Sequence, residues 1–287
     1  MHKIKYILQF IGITFLLCIY KLLGLKFSST FSGYIFLLVG PIFRSNKLAQ
    51  NNLKKAFPNL DFIERKKILD KMWFNYGRIF SEYMFIKKFR NSTNFSNKII
   101  IENQEILEKI KLSQKPVIFI SGHFNNFELM AMHIEKSGIN LAAIYRPLNN
   151  IFLNPLMERI RKKYICKNQI KKGISGTKQL LQQFKKNNSI ALMIDQRVSE
   201  GIKVNLFNEM ASTTTIPAQF VKKFNIKVVP IYIERLEDNN FKLKIYDPIK
   251  FEEKETVESI TQYLNLVLEK MIVKNPEQWI WTHNRWK

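Results

Sequence analysis

Cysteine is nearly absent from this 287-residue chain: Cys18 and Cys166 are the whole supply, one in an apolar run and the other beside a lysine. A disulfide framework is therefore excluded, and a reducing compartment is the natural setting. Glycine (10) and proline (9) are also sparse, which removes any collagen-like reading. A hydrophobic share of 46% excludes disorder and supplies a core for one large domain or two small ones. Acidic residues number 23 against 46 basic ones, giving a net charge of +23. Such a bias attracts phospholipid, acidic protein or nucleic acid. AT-biased coding also enriches Lys, Ile, Asn and Phe, so charge alone selects no partner.

Two apolar stretches open the chain. Tyr6 to Leu25 (YILQFIGITFLLCIYKLLGL) is interrupted only by Gln9 and Lys21 and is close to the length that spans a bilayer core. No small-residue cleavage site follows, since Lys26, Phe27, Ser28 and Ser29 come next, so the segment reads as a retained membrane anchor and not as a removed signal peptide. Phe31 to Phe43 is too short to cross alone and is expected to lie in the interface or pack on the first stretch. Lysines flank the first run on both sides and leave its orientation open.

Asp61 and Glu64 have capping-box spacing, and Ile68, Leu69, Met72, Trp73, Tyr76, Ile79, Phe80 and Tyr83 then recur at helical spacing. The aromatic stripe of this long helix is read as core. Past the polar stretch Asn91 to Lys98, short apolar runs at Pro116 to Ser121, Leu141 to Tyr145, Ser189 to Ile194 and Val228 to Ile233 alternate with helix-length amphipathic segments. That alternation predicts an α/β fold with a mostly parallel central sheet flanked by helices. Phe241 to Tyr246 alternates with period two and reads as an edge or hairpin strand. A last helix carries Val257, Ile260, Leu264, Val267 and Met271 and stops at Asn275 and Pro276. There is no repeat and no low-complexity linker. The expected organisation is a membrane anchor and interfacial segment (1–44), a helical lead-in (45–98) and an α/β catalytic domain (99–287).

The first strand run ends in IFISGHFNNFELM, placing His123 just past a strand and Glu128 in the opening of the next helix. Five residues on one continuous helix rotate by about 500°, leaving the side chains about 140° apart, so convergence needs the strand-to-helix turn. If the two meet, Glu128 accepts a hydrogen bond from one imidazole nitrogen while the other takes a proton from a hydroxyl. No G-x-S-x-G elbow surrounds Ser121, so the nucleophile is expected to be the substrate's own hydroxyl. Backbone N–H groups around Asn125 and Asn126 are the oxyanion candidates. A zinc site of the H-E-x-x-H kind is disfavoured because the nearest other histidine is His133, and no metal is expected.

A lone His and Glu at this spacing are nonspecific and gain weight from their company. Arg146 follows the second apolar run, and a basic helix with Arg159, Arg161, Lys162 and Lys163 comes directly after, a setting that suits anionic ligands or a plain solvated face. Asp195 and Gln196 close another strand, where open α/β sheets put binding residues, and Asp195 there could orient an Arg or a hydroxyl. Ser212, Thr213, Thr214 and Thr215 are expected to open the helix containing Ala218 and Phe220, offering hydroxyls to an anion or carbonyl beyond ordinary N-capping.

GHFNNFEL, YRPLNN, the basic helix, MIDQ, the STTT segment, NNLKKAFPNL at Asn52 to Leu60 and the terminal PEQWIWTHNRWK together resemble the late acyltransferases of lipid A biosynthesis, the lauroyl and myristoyl transferase family. The likeness covers nearly the whole chain. It implies a glycerolipid-acyltransferase-like fold with an N-terminal membrane-anchoring helix, at the inner membrane with the catalytic domain facing the cytoplasm. It further implies transfer of a fatty acyl chain from acyl carrier protein to a hydroxyl of an acylated, phosphorylated glucosamine disaccharide. The donor is then the carrier-bound thioester, with no cofactor, and the partners are acyl carrier protein, the lipid A precursor and membrane lipids, with no nucleic acid. Carried over residue by residue, the family's catalytic H-x4-[D/E] pair falls on His123 and Glu128, its functional Arg on Arg161 with Arg159 as second choice, and its strand-end Asp on Asp195. Phe-Asn-Asn-Phe stands where many relatives carry a Gly and a Trp, which leaves the wall of the site and the acyl preference open. The alternatives are a 1-acylglycerol-phosphate acyltransferase, whose usual motif carries Asp where Glu128 stands, and a membrane-tethered nucleic-acid-binding protein, which rests on charge alone.

Overall fold

The computed structural model describes residues 2–287. Its N-terminal part is helical: α1 (His2–Phe43), α2 (Asn46–Ala56), α3 (Phe62–Glu82), α4 (Ile86–Asn91) and α5 (Thr93–Ser96). The remainder alternates as β1 (Ile99–Glu102), α6 (Gln104–Ser113), β2 (Ile118–Ser121), α7 (Glu128–Lys136), β3 (Leu141–Tyr145), α8 (Leu153–Tyr164), β4 (Asn168–Lys171), α9 (Ile174–Lys185) and β5 (Ser189–Met193). A hairpin of β6 (Ile202–Leu206) and β7 (Glu209–Thr213) follows, and then α10 (Ile216–Phe224), β8 (Val228–Arg235), β9 (Phe241–Ile245) and α11 (Val257–Lys274).

Seven strands form one sheet in the order β1-β9-β8-β2-β5-β3-β4, every pairing parallel except β8 with β9. The α/β reading thus holds. Central strand β2 is buried throughout, as a parallel strand covered on both faces must be. Phe241–Ile245 does form a hairpin with β8, but it is not an edge: β1, from a stretch with no periodic signal, pairs outside it. The Ser212–Thr215 expectation also needs correction, since Ser212 and Thr213 finish β7 and the helix begins only at Ile216. The β6–β7 turn explains the shift: Phe207 and Asn208 both take positive φ (54° and 57°), the backbone of a tight hairpin.

Helix α3 starts where the capping box places it, with Asp61 Oδ1 accepting from Glu64 N (2.7 Å) and Glu64 Oε2 from Asp61 N (2.8 Å). Its stripe is core, Leu69, Met72 and Trp73 being buried. Helix α1 is bent at Gly24, whose φ of +76° strains any residue with a Cβ. On a straight helix Tyr20 and Phe31 would lie about 16 Å apart; here their rings are 6.5 Å apart, so the second apolar stretch folds back against the first. The second half packs on α3 so closely that a Cβ on Gly77 would come within 2.1 Å of the Ser32 carbonyl oxygen.

A buried ion pair ties this helical layer to the sheet. Arg235, the last residue of β8, grips Glu82 at the end of α3 through Nη1 (2.5 Å) and Nη2 (3.0 Å), and Asn75, Asn126, Asn239 and Ser29 join the network. The C-terminal tail then crosses the molecule. Asn52 of α2 donates to the carbonyls of Trp281 and His283 (both 2.8 Å), and fully buried Arg285 donates to Ser212 O (2.6 Å) and Thr213 Oγ1 (2.7 Å).

Candidate active site

Strands β2 and β5 are parallel neighbours whose last registered partners are Ser121 and Met193. Two residues further along each chain stand His123 and Asp195, so the register itself brings them together beyond the carboxyl ends of the strands. His123 Nδ1 lies 2.8 Å from Asp195 Oδ1, and the His123 backbone N–H donates to Oδ2 at 2.7 Å. The Trp279 indole Nε1–H also donates to Oδ2 (2.9 Å). With three donors on a buried carboxylate, Asp195 keeps a pKa of about 2: burial pushes it up, but the charge and hydrogen bonds of His123, with Trp279, outweigh that.

The imidazole is set in consequence. Asp195 accepts from Nδ1–H, which makes Nε2 the proton-accepting nitrogen, and among the described residues none bonds Nε2. Burial disfavours the charged ring, yet Asp195 and Glu128 more than compensate, and the net effect lifts His123 above the ordinary imidazole value. Its side chain is 20% exposed, with Phe127 edge-on at 4.8 Å. The site therefore holds a partly exposed imidazole whose Nε2 makes no hydrogen bond among the described residues.

Glu128 has a different partner from the one its spacing suggests. As the first residue of α7 it sits beside His123 without bonding it, and instead receives Arg161 of α8 through Nε (2.8 Å) and Nη2 (2.6 Å), together with the Tyr83 hydroxyl. The reason is geometric: Nδ1 is already claimed by the neighbouring strand end, and α8 points Arg161 inward over the Tyr145 ring. Burial and the adjacent Glu128 charge push the Tyr83 phenol well up, so it remains a neutral donor. His123 with Asp195, and Glu128 with Arg161 and Tyr83, form two adjoining clusters.

The family described as bacterial lipid A biosynthesis acyltransferase matches residues 1–287. The chain belongs to that family. The lipid A biosynthesis lauroyltransferase of Escherichia coli (strain K12) is 24% identical over 250 residues, covering 85% of this chain and 79% of that protein. The E. coli (strain K12) lipid A biosynthesis palmitoleoyltransferase is 22% identical over 248 residues (85% and 79%), and lipid A biosynthesis acyltransferase 2 of Shigella flexneri is 22% identical over 246 (83% and 76%). The fold class expected from the sequence and an acyltransferase activity therefore stand together.

Within this family member the other expected site residues separate. Asn125 and Asn126 are buried, and Asn125 spends its backbone N–H on Gln278 O (2.9 Å) and its side chain on Gln278 Oε1 (2.5 Å), while Asn126 donates to Glu82 (2.9 Å). Positive φ at Asn125 (46°) turns these groups inward, which removes the Asn125 amide as an oxyanion donor. Thr213 holds Arg285, and Thr214 Oγ1 faces Ile216 N at 3.4 Å, so both hydroxyls serve the hairpin and the helix start, not an open anion site. Gln196 is half-buried beside Asp195. Arg146 and Arg159 are exposed, Arg159 lining a shallow groove with Lys162 and Lys163. Sequence reasoning missed Tyr83, absorbed into the core stripe, and Trp279, which carries no periodic signal.

Removing Glu128 strands a cation and a phenol in a mostly buried site. Glu128→Ala is expected to destabilise the fold by about 3 kcal/mol, the scale for breaking a buried pair, with urea unfolding as the measurement. Glu128→Ala combined with Arg161→Met is expected to regain stability but not acyl transfer.

Proposed function

We propose that this enzyme transfers a fatty acyl group from the thioester of acyl carrier protein to a hydroxyl of an acylated, phosphorylated glucosamine disaccharide, at the cytoplasmic face of the inner membrane. The observation that carries the reading is the His123–Asp195 pair with Nε2 unclaimed, in a chain matched throughout by a lipid A acyltransferase family.

Nε2 of His123 takes the proton of the acceptor hydroxyl as its oxygen attacks the thioester carbonyl. The tetrahedral intermediate collapses with cleavage of the C–S bond, and the imidazolium returns its proton to the departing thiolate. Asp195 stabilises that imidazolium, and no acyl-enzyme is formed. The Glu128–Arg161–Tyr83 cluster supplies a fixed polar wall beside the ring, with Arg161 as a positive charge near developing oxyanion character. Arg146 and Arg159 are exposed, which supports a role for them toward acceptor phosphates or the acidic carrier.

Mass spectrometry of lipid A from cells lacking this protein is expected to find one secondary acyl chain missing; an unchanged lipid A profile with loss of acylation on 1-acylglycerol phosphate would overturn the acceptor assignment. Docking of the carrier on a chain of +23 charge is expected to weaken with salt, the KM for acyl carrier protein rising several-fold at high ionic strength. A salt-indifferent KM would refute electrostatic docking.

A further inference from the structure

One helix here, Lys3–Phe43, is long and apolar enough to cross a membrane. Length suits a crossing, but the way its first half packs does not. Tyr6, Phe10, Ile13 and Leu17 are half-buried and Tyr20 is fully buried, recurring at helical spacing along one face. Ile4, Leu8, Ile11, Phe15 and Leu22 recur at the same spacing on the opposite face and are exposed, Phe15 by 69% and Leu22 by 88%.

The shielded face is held at both ends. Near the N-terminus, Asn150 in the β3–α8 loop donates to the Tyr6 carbonyl (2.9 Å) and to Gln9 Oε1 (3.3 Å), and the Phe10 and Phe152 rings lie 6.2 Å apart. At the other end the Tyr20 ring meets Phe80 of α3 at 6.2 Å. Tyr6 and Tyr20 are about 21 Å apart along a helix axis, most of the depth of a hydrocarbon core of about 30 Å. A helix standing upright through the bilayer would therefore draw the β3–α8 loop and the cations of α8 into lipid with it, where charges are strongly disfavoured.

The loop and the start of α8 carry an apolar face of their own. Leu148, Ile151, Phe152 and Leu156 are exposed, adjoin the helix through Phe152, and are bordered by Arg146, Arg159, Lys162 and Lys163. An apolar ridge with a cationic rim fits an anionic membrane surface, apolar side chains in the acyl region and cations at headgroup level.

We infer that the first half of α1 lies in the plane of the membrane and, together with the Leu148–Leu156 ridge, embeds the enzyme in a single leaflet of an anionic bilayer. The occupant of this face is lipid, and α8 then links the membrane contact to the site, with Leu156 turned outward and Arg161 inward onto Glu128.

The test places single cysteines in a Cys18→Ser background, Cys166 being buried. Lys3→Cys and, as a domain marker, Lys186→Cys are treated with a membrane-impermeant maleimide in sealed spheroplasts and in inverted membrane vesicles. Both are expected to react from the same side; reaction of Lys3→Cys solely from the side opposite to Lys186→Cys overturns the inference. A second label decides even where position 3 is shielded by headgroups. An environment-sensitive fluorophore on Ile151→Cys, in vesicles of phosphatidylglycerol and phosphatidylethanolamine, is expected to emit to the blue of the Lys186→Cys control and to be quenched by spin-labelled lipid. Emission equal to the control, without quenching, overturns it as well. Neither readout uses acyl transfer, so failure here leaves the proposed reaction standing.

Discussion

Asp195→Asn is expected to lower acyl transfer by about 10⁴-fold, on the scale of tautomer loss in a His-carboxylate pair, with the fold intact. Asp195 Oδ2 receives two fixed donors, the His123 backbone N–H and the Trp279 indole N–H. An asparagine must put its carbonyl oxygen there, which turns its NH2 toward Nδ1. Nδ1 then becomes the acceptor, the proton moves to Nε2, and Nε2 can no longer take one. The same variant carries a pH signature. The native ring is held above the ordinary value by Asp195 against the opposing effect of burial. With the neutral ring as the proposed active form, native activity is expected to fall as pH drops through that raised value. With the carboxylate gone, burial prevails, and the acid limb of the kcat/KM profile is expected to move to lower pH. An acid limb that stays in place would assign the titration to another group.

The second large effect belongs to the imidazole itself. His123→Ala is expected to reduce transfer by about 10²–10⁴-fold, the usual range for a general base, measured with acyl carrier protein thioester and lipid acceptor in mixed micelles. The ring is partly exposed, and the buried Asp195 carboxylate keeps the backbone N–H of position 123 and the Trp279 indole as donors, so the unfolding midpoint is expected to fall by less than in Glu128→Ala. Near-normal turnover would eliminate acid-base catalysis at this position. Comparison with Glu128→Ala is informative, since that variant is expected to lose stability along with activity.

Local features were the most legible in the sequence. The Asp61–Glu64 capping box, the strand at Leu141–Tyr145 and the stop at Asn275 and Pro276 each depend on residues within a turn or two of one another. His123 and Asp195 were both recognisable as strand-end polar residues, but their partnership depends on β2 lying next to β5, seventy-odd residues away in the chain, and no linear pattern encodes that adjacency. The spacing of His123 and Glu128 pointed to a direct bond; proximity was right and the bond was wrong, because the competing acceptor comes from another strand. Trp279 was visible within the tail that carries the family resemblance, although its hydrogen bond to Asp195 needs the tail's path across the molecule. Glu82 and Arg235 had no signal, since a charged residue closing an amphipathic helix ordinarily faces water, and this one is completely buried.

The path of that tail has a mechanical consequence. Trp279 and Arg285 lie within the last nine residues of the chain, and the first clamps the carboxylate while the second locks the hairpin behind it. The tail thus acts as a strap anchored at both places, and slackening it at Arg285 is expected to be felt at the carboxylate under Trp279.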